Sequence, residues 1–147
     1  MWREIATFEE LNLFFDSMYH FHDSCIKEIK YVSGAYVDTD LGMYPINDKR
    51  KLSIIVQRQF QENSMIEIEF EGLIRANIVP VNPSHTCEIL DSKMFLTNNS
   101  IVWCDSEYVT EDNYFDYDGM LICAERMKWR EVTGFLGKDD YYIAKYS

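Results

Sequence analysis

The chain has 147 residues, 47% of them apolar and 27% charged, which is the length of one domain and the composition of a soluble globular protein. A chain this long buries roughly 68–70% of its unfolded surface, so it needs no disulfide or metal staple. Its 25 acidic residues against 14 basic ones leave a net charge of −11. That disfavours nucleic acid, where affinity rests on Lys and Arg neutralising phosphates, and points to a basic partner.

The opening run MWREIATFEELNLFF carries Arg3, Glu4, Glu9 and Glu10, so it lacks the unbroken apolar core of a secretory signal. No apolar run approaches the roughly 18–20 residues of a membrane span. The expected location is the cytoplasm. Cys25, Cys87, Cys104 and Cys123 form no C-x-x-C pair, which argues against zinc ribbon and thioredoxin chemistry. In a reducing compartment they are expected to be buried small hydrophobes.

Thr7, with Glu10 three residues on, predicts a capped helix start. Phe8, Leu11, Phe14, Phe15 and Met18 then recur at spacings of three and four, the stripe of an amphipathic helix of about three turns. From Ser24 the period changes to two, with Cys25, Ile29 and Tyr31 expected on one face and Ile26 and Val32 on the other. The stretch HFHDS is therefore the joint between a helix and a strand. After a connection rich in Gly and Asp, LSIIVQRQF and MIEIEFEG read as two strands with a turn at Glu62-Asn63-Ser64. In the second, Ile66, Ile68 and Phe70 alternate with Glu67, Glu69 and Glu71, which are expected to face water and so to have no reason for a raised pKa.

LIRANIV reads as a further strand, ended by Pro80 and Pro83. Asn98-Asn99 tolerates positive φ, so Lys93–Thr97 is expected to pair with Ile101–Cys104. GMLICAERMKWREV alternates as a strand, with Leu121, Cys123, Met127 and Trp129 on one side; on a helix, Glu125 and Lys128 would interrupt the apolar stripe. The tail GKDDYYIAKYS is expected to form a short closing element. No repeat or low-complexity linker divides the chain, so residues 1–147 form one domain. The expected fold is α+β and mostly β: an N-terminal helix followed by six or seven mainly antiparallel strands in a curled sheet or a two-layer sandwich.

Two stretches carry candidate chemistry. His20-x-His22 has the spacing of strand-borne metal ligands, and Asp23 supplies an oxygen ligand or orients an imidazole. A third nitrogen would have to come from His85, in a distant Pro-rich loop. The structural alternative has His22 and Asp23 hydrogen-bonding the backbone where the helix gives way to the strand, with His20 on the surface. The second stretch is DSEYVTEDNYFDYDG, in a region from Met94 to Glu125 that contains no Lys or Arg. Asp116-x-Asp118-Gly119 resembles part of a calcium loop, but ligand positions 5 and 12 fall on Met120 and Met127, which cannot bind a hard cation. A recognition surface fits better: Asp105, Glu107, Glu111, Asp112, Asp116 and Asp118 steer a basic partner, and Tyr108, Tyr114 and Tyr117 give rigid contact area. No nucleophile elbow or Gly-rich phosphate loop is present.

The layout of a helix, FHDSCIKEI, long strands and then YDGMLICAERMKWRE resembles small uncharacterised bacterial proteins in which a His-Asp pair opens the first strand. Some of these are grouped with immunity proteins of polymorphic toxin systems. The specific part of the likeness is His22-Asp23-Ser24 and the late KWR strand. The resemblance implies a cytosolic, non-enzymatic binder that occludes a toxin domain, which agrees with the acidic charge, and it transfers no active-site residue; no cofactor is expected. The alternatives are a small metal-dependent hydrolase built on His20, His22 and Asp23, or a small-ligand binder with its pocket inside the curled sheet. The pattern fixes no oligomeric state.

Overall fold

The computed structural model describes residues 1–142. Its chain begins with β1 (Arg3–Ile5), too short for a period to register in sequence, and turns directly into α1 (Phe8–Ser17). The capping box forms: the Thr7 hydroxyl accepts from the Glu10 amide and the Glu10 carboxylate accepts from the Thr7 amide, both at 3.2 Å. These bonds satisfy donors that a helix start otherwise leaves open. Leu11, Phe14, Phe15 and Met18 are buried on one face, whereas Phe8, at the first turn, stays exposed.

The other strands are β2 (Ser24–Val32), β3 (Tyr36–Val37), β4 (Met43–Tyr44), β5 (Lys51–Arg58), β6 (Met65–Asn77), β7 (Lys93–Leu96), β8 (Ile101–Cys104) and β9 (Leu121–Glu131). The main sheet has seven antiparallel strands in the order β2-β5-β6-β9-β8-β7, with β1 joined to the later part of β9. β3 and β4 make a separate hairpin inside the Gly- and Asp-containing connection. The fold is thus α+β and mostly β, as expected. The sheet curls without closing, since Ile26 of β2 and Trp103 of β8, far apart in strand order, line one internal hollow of about 20 Å³.

Alternation places Leu52, Ile54 and Val56 of β5 and Ile66, Ile68 and Phe70 of β6 in one core with α1. Their register pairs Leu52 with Phe70, Ile54 with Ile68 and Val56 with Ile66 across a turn in which Asn63 has φ 50°. LIRANIV is not a separate strand: β6 runs through to Asn77, passing Gly72 at φ +65° and bulging between Leu73 and Arg75. A Cβ at Gly72 would lie 2.6 Å from the Glu125 carboxylate on a backbone of positive φ, so any side chain here is strained and must displace Glu125.

The same crossing corrects the expected face of β9. Met127 and Trp129 pack in the core with α1, but Leu121 and Cys123 lie on the opposite face with Phe95, Val102 and Val109. The parity of the core-facing residues changes on either side of Gly72, from Phe70 to Leu73 in β6 and from Ala124 to Met127 in β9, which a strict period of two cannot anticipate. A bulge between Ile26 and Glu28 does the same in β2. It brings Ile26 and Ile29 together against the core and leaves Cys25 and Tyr31 exposed. Of the cysteines, Cys104 and Cys123 are buried as expected, while Cys25 and Cys87 are exposed.

Glu67 and Glu69 are buried, not on a wet face. Basic side chains of neighbouring strands roof them: Arg130 lies 3.4 Å from Glu67, and Lys128 lies 3.6 Å from Glu69 and 3.1 Å from Glu71. Trp2 covers this ladder, its ring 4.3 Å from the Arg130 guanidinium and 5.0 Å from the Lys128 ammonium. Burial pushes the Glu67 carboxyl above its ordinary pKa against the opposing pull of Arg130. After β9, Val132 packs on Ile55 and Met65. Residues 133–142 contain no helix or strand, and the rest of the expected closing element, 143–147, lies outside the described residues. No helix among the described residues is long and apolar enough to cross a membrane.

Candidate functional site

The joint between α1 and β2 is a left-handed corner. Tyr19, His20, Phe21 and Asp23 have φ values of 51°, 54°, 61° and 59°, a conformation that costs an L-residue about 1–2 kcal/mol. What holds it is apolar and backbone chemistry. Phe21 is 2% exposed and packs edge-on to Phe14, with ring centroids 5.7 Å apart. The Ser92 hydroxyl donates to the His20 carbonyl, the Asp23 amide donates to the Ile89 carbonyl at 3.1 Å, and the Gln59 amide donates to the Asp23 carbonyl at 3.2 Å.

The expectation that the His22 and Asp23 side chains serve this backbone is therefore corrected. The left-handed turn aims them outward, where His22 Nδ1 lies 3.0 Å from Asp23 Oδ2 with both side chains about half exposed. His20 is on the surface as expected, stacked on Phe15 at 4.3 Å and bonded to Asp16 at 3.0 Å. His85 sits against the Ser84 hydroxyl in its own loop. Among the described residues no three His, Cys, Asp or Glu side chains converge to hold a metal. Beneath the corner, Arg58 is buried, donates to the Glu62 and Asn63 carbonyls, and lies 4.7 Å over the Phe60 ring.

The loop from Asp105 to Met120 is built differently. Val109 is buried and Tyr114 packs with it, edge-on to Phe95 at 5.6 Å, anchoring the loop to the convex face of the sheet. Asn113 folds the tip by accepting from the Thr110 amide at 2.7 Å. The Tyr117 hydroxyl donates to Asp105 Oδ1, and burial followed by this carboxylate raises the phenol pKa well above its ordinary value. A side chain at Gly119 would collide with both partners. Glu107, Tyr108, Glu111, Asp112, Asp116 and Asp118 are exposed. Arg75, which reaches the loop, donates to the Phe115 carbonyl and not to a carboxylate.

Only part of this face borders a cavity. Asp105, Glu107, Tyr108 and Tyr117 line an open groove of about 620 Å³, whereas Glu111, Asp112, Tyr114, Asp116 and Asp118 lie away from it. The groove's other wall is the 78–92 loop, which contributes Val79, Val81, Glu88, Leu90 and Asp91. Sequence reasoning missed this wall because Pro80 and Pro83 marked it simply as a loop. Its signal was the run IVPV ahead of the Pro-rich turn, apolar residues with no strand to bury them. The interior hollow of the curled sheet, at about 20 Å³, holds roughly one water and is too small for an organic ligand. No family model, curated protein sequence or solved structure matches the chain.

Proposed function

We propose that the chain is a non-enzymatic, cytosolic binding protein of the immunity type, which uses the acidic and aromatic surface around residues 105–118 to hold a basic protein partner such as a toxin domain. The observation that carries this reading is the partition of charge. The carboxylates of β6 are matched by Lys128, Arg130, Lys51 and Arg126. Those of the 105–118 loop have no ion-pair partner among the described residues. Uncompensated charge of one sign, set beside exposed aromatic rings, steers an oppositely charged partner and gives it a surface to rest on.

Surface-immobilised chain exposed to lysate of its own cells should retain a basic protein. The association rate of that protein should fall about tenfold or more between low and physiological salt. Association that does not respond to salt would overturn the reading.

A further inference from the structure

The groove beside the 105–118 loop has two properties that a flat acidic face lacks. Its carboxylates, Glu88, Asp91, Asp105 and Glu107, are accompanied by no Lys, Arg or His in the lining, and none of them joins an ion pair among the described residues. Between them the surface is apolar. Ile26, Ile29 and Met120 are half-buried and Trp103 is buried at the floor, while Val79, Val81 and Leu90 stand exposed at the rim. Exposed aliphatic side chains around a concavity mark a docking site.

Tyr117 fixes one oxygen of Asp105 and so orients that carboxylate at the groove wall. The wall formed by Ile26 and Ile29 belongs to β2, the outermost strand. The 78–92 loop pairs with the outer edge of β2 through a single bridge, Ser24 with Ile89, and then departs. An extended chain laid here finds apolar seats, carboxylates and a strand edge that, among the described residues, pairs with nothing beyond Ser24.

An extended segment, unlike a flat folded surface, brings alternate side chains down beside Trp103. Resting on the binding function above, we infer that the groove takes an extended linear segment of the partner in which Lys or Arg alternates with large apolar residues. The apolar side chains seat on Ile26, Ile29 and Trp103, and the cations meet Asp91, Asp105 and Glu107.

The test uses fluorescence anisotropy with the full chain and three probes: a labelled decapeptide alternating Lys with Leu and Ser, an equally charged peptide with every Leu replaced by Ser, and the folded basic protein lysozyme. The Leu-containing peptide should bind at least tenfold tighter than the Ser peptide. Leu90→Asp should remove most of that advantage although it makes the chain more acidic, which would strengthen a purely electrostatic association. Val81→Asp, also at an exposed position, should act alike and guards against a local folding defect in either variant. Equal binding of the two peptides, or no loss in both variants, overturns the segment inference. If lysozyme nonetheless binds in a salt-sensitive manner that charge reversal at Glu111 and Asp112 abolishes, the binding function survives and only the segment falls. If the basic protein captured from the chain's own cells also associates without responding to salt, both fall.

Discussion

Truncating Phe21 and truncating its neighbour His22 should have very different consequences, although His22 is the more conspicuous residue in the sequence. Phe21 is 2% exposed, contacts Phe14 and Phe15 with ring centroids at 5.7 and 6.1 Å, and borders the internal hollow of about 20 Å³. Phe21→Ala enlarges an existing void that α1 and the sheet cannot close without moving, so the cost should be about 3–5 kcal/mol. It also removes the side chain that clamps a left-handed turn already unfavourable at Tyr19, His20 and Phe21. Against a total stability of about 5–15 kcal/mol this is severe, and it corresponds to a fall of roughly 6–20 °C in Tm for a domain of this size. His22→Ala breaks only a half-exposed pair with Asp23 and should cost under about 1 kcal/mol. Urea unfolding followed by tryptophan fluorescence measures both. A loss below about 1.5 kcal/mol for Phe21→Ala, or above that value for His22→Ala, would refute the account of the corner.

Gly72→Ala should cost about 2–3 kcal/mol, from positive φ and from displacing Glu125 out of its pair with Arg50; Glu125→Ala in the same chain should restore part of this, and additive losses would contradict the steric origin. Glu67 is pushed upward by burial, so its folded form holds the proton more tightly than the unfolded chain does. Its contribution is therefore greatest at acid pH and is lost as pH rises from the ordinary carboxylate range through the raised value. Wild-type stability minus that of Glu67→Gln should accordingly fall as pH rises from about 4 towards 7, and a flat or rising difference would contradict it. Tyr117→Phe deletes the bond to Asp105 and should cost about 1–2 kcal/mol, with faster amide hydrogen exchange confined to residues 105–120; unchanged exchange there would show that another contact positions the loop.

Much of the fold was legible because its signals are local. The Thr7 and Glu10 capping box, the Asn63 turn and the strand character of residues 121–131 each rest on the chemistry of a few adjacent residues; the hairpin of Lys93–Leu96 with Ile101–Cys104 forms as expected, but neither Asn98 nor Asn99 takes the positive φ expected of it. Facing was legible only until the backbone broke its period. Gly72 and the bulge near Lys27 reverse which side chains point inward, and neither changes the apolar pattern that a period of two reads. The burial of Glu67 and Glu69 was hidden for a related reason, because their cover comes from Arg130, Lys128 and Trp2, which are remote in sequence. At the candidate site the acidic loop was visible because it carries carboxylates in a stretch, Met94 to Glu125, that has no Lys or Arg. The facing wall was not, since Val79, Val81 and Leu90 become significant only when the chain brings them opposite Asp105 and Tyr108.

If binding depends on one particular acidic face and not on net charge, a matched pair of charge reversals should separate the two. Glu107→Lys, Glu111→Lys and Asp112→Lys alter the proposed face, whereas Glu9→Lys, Asp40→Lys and Glu62→Lys change net charge equally at exposed positions elsewhere. Retention of the basic protein captured from the chain's own cells should be abolished by the first set and preserved by the second. Equal retention by both forms, or equal loss, would contradict the account.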